Sequence, residues 1–538
     1  MPAWAGPRDE ARGLVDAHQY PAALAIFDKL VQSNPDDIDL LIETARVNAW
    51  DDRHEAAIAL YRRVMERAPM RIPDVRLPLA WQLLWAGKPA ESLVQFDAQL
   101  SAQTTNVDAL HGKAEALSAL NRLDEALATY RQILSLAPED AKAQLDAARV
   151  LLWQGQDQAA LDAFQRILAQ HPDNRQALKG LARAQNNMGL HQRAARNFSG
   201  LVRDDADLKL EYARALNWAG MDDEAVHELH GIDTPEASGL RLHIQRDLSP
   251  QFSFNAEFST DSDRLDISAL TAQASFSPRT YEKLELSLRQ AWLDQQGSRL
   301  DGQTYWLGYG WRTGGLDSSY GLLWPTLYLG LRDYAGWQSA AWKARAKWLP
   351  ADRWRWDFEA GNEIVENIAS IRNHVSFDYL SAGFDIRPAP LWLFNLGALG
   401  GRFDDGNQRK KVTGRIEYRV TNDPRLTVGV EGMGFNDSNP PSPGRGYYSP
   451  EAYREIKLAG RLEATTHGWD LYGKAALGEL WEQPGSSSNL YQVEASATHA
   501  AGWGDVRLYA GRSDSASLTS GGGGYWRSYV GGTVNVLF

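Results

Sequence analysis

The sequence predicts an α-superhelix of helix pairs followed by an antiparallel transmembrane β-barrel of about 16 strands. Three observations predict it. Residues of one type recur every 34 positions through the first 230 or so residues. From about residue 250 apolar and polar side chains alternate with a period of two. The breaks between those alternating stretches are short and long in turn. At 538 residues the chain is too long for one core. We divide it into repeats (1–231), a connector (232–249) and a strand region (250–538).

Composition bounds the rest. The formal charge is -12, and it is uneven. Residues 239–538 carry 33 acidic and 31 basic side chains, leaving 35 and 25 in the first part. The acidic first half argues against a nucleic-acid partner. There is no cysteine, so thiol catalysis and cysteine metal sites are excluded. Mean hydropathy is -0.43, and no run of 18 apolar residues marks a membrane helix. The chain has 20 Trp and 20 Tyr, with Trp concentrated after residue 240, where interfacial girdles belong. The opening Met-Pro-Ala-Trp-Ala-Gly-Pro lacks the basic and apolar segments of a secretion signal. Ala3-Trp4-Ala5 is similar to the tail of a cleavage site, and we expect a trimmed leader.

The repeat is explicit. Ala23, Ala57, Ala126, Ala160 and Ala194 fall 34 residues or a multiple apart, with a one-residue slip, and Ser92 fills the gap. Four residues after each stands an aromatic: Phe27, Tyr61, Phe96, Tyr130, Phe164 and Phe198. Pro35, Pro69, Pro138 and Pro172 follow most second helices, and Gly87, Gly155, Gly189 and Gly220 precede several. A small residue lets two helices approach, and the ring one turn later fills the space between them. Proline ends the second helix. This is the pattern of tetratricopeptide repeats. Six are clear, and a degenerate seventh ends near Gly231, with Ala225 and Leu229 in the key places. Such repeats stack into a superhelix. The run His227 to His230 lacks the spacing of a zinc-protease helix and reads as a solvated face.

Beyond residue 250 the period is two. Leu284, Leu286 and Leu288 alternate with Glu285, Ser287 and Arg289; Trp354, Trp356 and Phe358 alternate with Arg355, Asp357 and Glu359. Short breaks fall at 249–250, 278–280, 314–315, 350–352, 388–390, 422–424, 467–468 and 502–504. Longer polar ones fall at 261–264, 294–302, 331–337, 365–372, 404–409, 436–450, 483–488 and 513–524. Short turns at one end and long loops at the other are the outer-membrane barrel pattern. The even count puts both barrel ends on the short-turn side. Leu240, Leu242 and Ile244 would break that parity as a further strand, so they belong to the connector. The last strand, Tyr525 to Phe538, has one apolar and one polar face and ends in Phe538. That ending resembles the closing strand of bacterial outer-membrane barrels.

Repeats followed by about sixteen barrel strands resemble exopolysaccharide export porins: the poly-N-acetylglucosamine porin and the C subunit of cellulose synthase. Leu426 to Glu431, the loop from Phe435, and Gly446-Tyr447-Tyr448-Ser449-Pro450-Glu451-Ala452-Tyr453 look like a late-barrel segment of the cellulose subunit. The chain has far fewer repeats than either relative. The resemblance implies a channel in the outer membrane of a Gram-negative bacterium, repeats in the periplasm, that passes an exopolysaccharide to the cell surface without chemistry or cofactor. It implies contact with outer-membrane lipid, and with periplasmic or inner-membrane synthase or modification proteins through the repeats. Lining candidates are Glu285, Arg289, Lys343, Arg345, Arg355, Glu359, Arg415, Glu417, Arg419, Glu431, Lys457, Arg461, Glu463, Glu494, Arg507, Arg527 and Tyr529. The loop around Tyr447, Tyr448 and Pro450 either folds inward as a gate or stays on the surface. Two other readings stay open: a barrel that only anchors an adaptor or receptor, its bore plugged, and an outer-membrane hydrolase, for which no G-x-S-x-G elbow is present. A closed barrel leaves no edge to pair, so a monomer is expected.

Overall fold

The computed structural model describes residues 6–202, 206–439, 446–485 and 487–538. The expected leader remnant, Ala3 to Ala5, lies outside them. The chain forms two compact units that divide after Asn187.

The first unit holds α1 (Pro7–Asp16), α2 (Tyr20–Ser33), α3 (Ile38–Trp50), α4 (His54–Arg67), α5 (Ile72–Trp85), α6 (Pro89–Ala102), α7 (Val107–Ala119), α8 (Leu123–Leu136), α9 (Ala141–Trp153), α10 (Asp157–Gln170) and α11 (Arg175–Asn187). Each helix packs on its sequence neighbours. The repeated small residues are fully buried, and the rings four residues on are buried with them. Ser92, the one polar substitute, donates its Oγ proton to the Ala80 carbonyl at 2.8 Å, which offsets its burial. Asp37, Asn106, Asp140 and Asn174 accept backbone N–H groups of Leu40, Ala109, Ala143 and Ala177 at 2.9–3.0 Å, capping helix starts.

The turn inside each repeat needs one left-handed residue. His18, Asp52, Gly87, Asn121, Gly155, Gly189 and Gly220 supply it, with φ between 55° and 78°. Sequence reading finds only the glycines; His18, Asp52 and Asn121 take the same conformation because the helix pair imposes it. At Gly180 space is the constraint. A Cβ there would stand 2.2 Å from the Phe164 ring.

The second unit opens with α12 (His191–Ser199), α13 (Ala206–Trp218), α14 (Asp222–Glu228) and α15 (Pro235–Leu248). The segment read as a connector is thus largely the helix α15, capped by Thr234, whose side chain accepts the Ala237 N–H at 3.2 Å. Ala237 and Ile244 are buried and Leu242 is exposed. Of the apolar residues that mimic a strand pattern, Ile244 stands on the buried helical face and Leu242 on the opposite, exposed one.

The strands are β1 (Gln251–Asp261), β2 (Leu265–Phe276), β3 (Glu282–Gln295), β4 (Ser298–Trp311), β5 (Thr313–Gly314), β6 (Leu322–Tyr334), β7 (Trp337–Ala351), β8 (Trp354–Ile364), β9 (Ser376–Ile386), β10 (Trp392–Phe403), β11 (Gln408–Asn422), β12 (Arg425–Asp437), β13 (Ala452–Thr466), β14 (Trp469–Gln483), β15 (Ser487–Ala501), β16 (Gly504–Ser513) and β17 (Arg527–Leu537). The two residues of β5 continue β4 past Arg312, and both pair with β6. The barrel therefore has sixteen staves. Each pairs antiparallel with its sequence neighbours, and β17 closes on β1, with Gln251 opposite Leu537 and Asp261 opposite Arg527.

Outward positions carry large exposed apolar groups: Phe252, Phe254 and Phe258 on β1, Leu327, Leu329 and Leu331 on β6, Val530 and Val536 on β17. Near the short-turn end Trp354 meets Phe384 and Trp392 meets Tyr418, at ring separations of 5.2 and 4.9 Å. These form part of an aromatic belt.

Two of the expected long loops are tight hairpins instead. β3 and β4 meet through Gln296-Gly297, and β6 and β7 through Ala335-Gly336, with positive φ at all four residues. That geometry matches strand twist and lets the strands run on. Conversely, the expected short turn at Gly314-Gly315 is a loop over 315–321. The polar composition of a hairpin tip and of a loop is the same, so composition does not separate them.

Within this unit the helices sit on the short-turn end of the barrel. Arg246 donates to the Ala501 and Gly504 carbonyls at 2.8 and 2.9 Å. Arg312 grips Glu224 with both guanidinium nitrogens, one bond measuring 2.9 Å. Asp352, in the β7–β8 turn, accepts backbone N–H groups of Gln192 and Arg193 at the start of α12, where the helix dipole favours a carboxylate. His191 lies beside the Trp218 ring at 5.2 Å. Burial, with Arg387 nearby, lowers its pKa from 6.5 to about 4.

Two outcomes follow. Gly180→Val should overpack the repeat against Phe164 and cost about 1–3 kcal/mol, seen as an earlier helical transition in thermal circular dichroism with the barrel transition unmoved. The folded-state pKa of His191 lies below the unfolded value. Its neutral form is therefore favoured, and its contribution is complete above pH 6.5 and lost as pH falls toward 4. Acidification across that window should destabilise α12 and α13 by on the order of 1–3 kcal/mol, and His191→Phe should abolish the effect, as read by limited proteolysis against pH.

Candidate functional site: the barrel interior

Strand alternation turns a second set of side chains to the inner face. Register shows it directly: Glu285 lies opposite Gly308, which lies opposite Tyr328, which lies opposite Lys343. All four share one face, and Leu286, Leu307 and Leu329 hold the other. Tyr328 donates its hydroxyl proton to Glu285 at 2.7 Å.

All seventeen lining candidates stand on this inner face by the same parity, and most are paired. Arg345 holds Glu359 at 2.6 Å, Lys343 holds Glu363 at 3.2 Å, and Arg355 holds Asp357 at 2.7 Å. Arg415 meets Glu417 at 3.0 Å. Arg461 bridges Glu417 and Glu431, and Lys474 adds a second cation to Glu431 at 2.9 Å. Lys457 meets Glu455 at 2.9 Å and Glu463 meets Arg425 at 3.0 Å. Glu494 accepts from Gln492 at 2.5 Å, and Arg419 donates to the Pro390 carbonyl at 2.9 Å. Arg527 donates to Ser259 at 3.1 Å, and Arg507 lies over the Tyr509 ring, 6.3 Å from that of Tyr529. Arg289 clamps Glu366 with two bonds, one of 2.9 Å, and donates to the Tyr334 hydroxyl. The lining is a network of opposite charges, some within one strand and others one or two strands apart.

Aromatic rings stand among these charges, and a reading confined to ionisable residues misses them. Trp306 has Arg332 and Lys343 at 5.7 Å from its ring. Tyr379 donates to Glu359, and Tyr509 to Glu257 at 3.0 Å. The signal was present in parity: Trp306 sits between the outward Tyr305 and Leu307, and Tyr328 between the outward Leu327 and Leu329.

The end opposite the helices is narrowed by three loops. The β8–β9 loop carries a short helix, α16 (Ile368–Arg372). Ile368 and Ile371 pack among inward residues Leu265, Ile267, Leu293 and Leu300, which places this helix inside the barrel. Tyr447 stacks on Phe403 with ring centres 3.9 Å apart, and Val365 and Leu518 join that cluster. Tyr448 packs edge-on to Phe435 and Tyr453. Burial, with Glu482 nearby, pushes its phenol pKa up.

The segment 446–450 ties the others together. The Gly446 carbonyl accepts from Asn367 and from Ser370, the latter at 2.6 Å. The Tyr448 N–H donates to the Leu518 carbonyl at 3.2 Å. Asn407 reaches the Tyr447 hydroxyl at 3.1 Å and Ser449 at 3.0 Å. Arg409 is buried against Asp437 at 2.8 Å and also donates to the Tyr448 carbonyl. In this loop Tyr447 and Pro450 are buried; residues 440–445 of the loop lie outside the described set. Beneath α16 is a cavity of about 470 Å³, lined by Arg289, Trp306, Arg332 and Glu366 among others.

The repeats carry a row that the sequence reading passed over. Trp50, Trp85 and Trp153 end α3, α5 and α9, and each is 55% exposed. Trp218 ends α13 with the same exposure.

Residues 8–69 and 122–184 match profiles of the tetratricopeptide repeat. The mouse DnaJ homolog subfamily C member 3 is 28% identical over 130 residues, which cover 24% of this chain and 26% of the relative. The chain thus spans about a quarter of the length of that curated relative. Among solved structures, a bacterial polysaccharide outer membrane secretin aligns with a TM-score of 0.45 at 15% identity, covering 54% of this chain and 99% of its own. A tetratricopeptide repeat protein from Parabacteroides merdae aligns with a TM-score of 0.38 at 14% identity, covering 44% of this chain and 97% of its own. Tetratricopeptide repeats followed by a closed sixteen-strand barrel are the architecture expected from the sequence.

Gly446 has φ +82°, and a Cβ there would meet the Ser370 backbone nitrogen at 2.8 Å. Gly446→Val should therefore unseat the three-loop knot while leaving the ladder intact. The expected result is a larger or more frequently open conductance in planar bilayers, with the barrel still folded by heat-modifiable electrophoretic mobility.

Proposed function

We propose that this protein is an outer-membrane channel that exports an exopolysaccharide from the periplasm to the cell surface. The observation that carries it is the bore: a closed sixteen-strand wall whose interior alternates paired charges with tyrosine and tryptophan rings. A hydrated sugar chain slides past such a surface on weak, repeated contacts, ring faces against ring faces and hydroxyls against charges. Strong single sites would hold it instead. The mutual pairing of the charges keeps each individual contact weak. The helices at the short-turn end support an orientation with that end in the periplasm, in keeping with the short periplasmic turns of such barrels. In this reading the repeats dock the polymer or periplasmic partners, and the exposed Trp50, Trp85 and Trp153 are the contact points.

A second reading has one specific observation behind it. The three inward loops narrow the outer mouth, as an anchor with a plugged barrel requires. The two separate in one experiment. For an export channel, deleting the gene stops polymer secretion while synthesis continues, and the full-length chain conducts in planar bilayers. For a plugged anchor, secretion is unchanged by deletion and no conductance is seen.

A further inference from the structure

Most charges of the bore are paired; among the inward cations with no carboxylate oxygen within 4.0 Å in the described residues, which include Arg332, Arg419 and Arg507, two share one stretch of wall. A cavity of about 700 Å³ opens against β7 to β11. Four cations face it, Arg345, Lys347, Arg355 and Lys411, and two anions, Asp357 and Glu359. Arg345 pairs with Glu359 and Arg355 with Asp357. That leaves Lys347 and Lys411, for which no carboxylate oxygen lies within 4.0 Å among the described residues. Lys347 stands opposite Asp357 in register, yet Arg355 takes that carboxylate.

The wall between the two lysines is recessed. Gly383 and Gly397 are opposed on β9 and β10, and the inward residues around them, Ser381, Asn395 and Thr413, are small and polar. Trp324 lines the same cavity, its ring 5.1 Å from the Lys347 ammonium. Four inter-strand steps separate β7 from β11, so the trough is roughly 19 Å across. That span fits a chain of sugars rather than one.

An ammonium in a protein wall is stable only with water or a counter-charge. Two of them, flanking a trough of glycine and hydroxyl groups with a ring at one rim, are placed to meet an anion that arrives with the cargo. The geometry points to this trough as a subsite for an acidic polysaccharide, its sugar carboxylates held by Lys347 and Lys411 and a ring face laid on Trp324. The inference rests on the export reading and names the substrate class for it. Neither lysine is among the residues singled out from the sequence, because parity alone marks them as two more cations in a mixed lining. Only the pairing of their neighbours leaves them, among the described residues, with no carboxylate oxygen within 4.0 Å.

The test uses the full-length chain in detergent micelles and three oligosaccharide probes of equal length: oligogalacturonate, cello-oligosaccharide and chitosan oligosaccharide. Calorimetry should show oligogalacturonate bound most tightly, with affinity falling as salt rises. Lys347→Gln and Lys411→Gln should each weaken it by about tenfold or more, while Lys347→Arg and Lys411→Arg retain it and heat-modifiable mobility stays that of the native barrel. Equal or tighter binding of the neutral or cationic probe overturns the proposal. So does wild-type affinity in the doubly substituted Gln protein, or no binding of oligogalacturonate at all. Failure of the export reading is separate, since it is read from secretion after gene deletion. Secretion lost on deletion together with no preference for the acidic probe removes the subsite and leaves export standing.

Discussion

Inside a bilayer no water is present to satisfy a backbone N–H or C=O, so every such group must find its partner within the protein. The pairing of β1 with β17 is where this constraint is met for the whole second half. Without it, two strand edges would face lipid, each with a row of unpaired groups costing several kcal/mol apiece. Closure also removes the freedom of the other fifteen interfaces. Register is handed from strand to strand, so one side of every strand must face hydrocarbon and the other a wet interior. The leucines and phenylalanines outside and the ion pairs inside are two results of a single closed ladder.

The interior then has its own problem, since a sixteen-strand wall encloses more space than its own side chains fill. Two solutions coexist here. Along most of the wall, charges on the same or nearby strands pair with one another. At the end away from the helices, three loops fill the interior with α16, Tyr447, Tyr448 and Leu518. The loop knot is held by hydrogen bonds to Gly446 and by the buried Arg409–Asp437 pair. Burial of an ion pair is affordable only when both partners are satisfied, and here the Tyr448 carbonyl and two ring faces complete the set around Arg409.

The helices solve a different problem with the same economy of means. A helix pair has one apolar face too many, and stacking the next pair covers it. The left-handed turn residue, the small residue and the ring recur together because each is needed to bring two helices to contact distance. The last repeats rest on the short turns of the barrel through Arg246, Arg312 and Asp352. Each of these gives a charged side chain to a backbone group or an opposite charge.

Periodicity is local, and whatever depends on it was legible in the chain. The 34-residue spacing of Ala23 to Ala194, the alternation of Leu284 to Leu288 and the even count of strands determined two architectures and which face each barrel residue occupies. Parity even marked Trp306 and Tyr328, had rings been sought as well as charges. What tertiary structure alone decided is who meets whom across the barrel. The inward fold of 365–375 and 446–450, the helix within the connector at 235–248, and the hairpins at 296–297 and 335–336 were not readable, because polar loops, hairpin tips and helix ends share a composition. That Lys347 and Lys411 have no carboxylate oxygen within 4.0 Å among the described residues belongs to the same class: it depends on Arg345 and Arg355 capturing two carboxylates, a competition settled by distance in space and invisible in spacing along the chain.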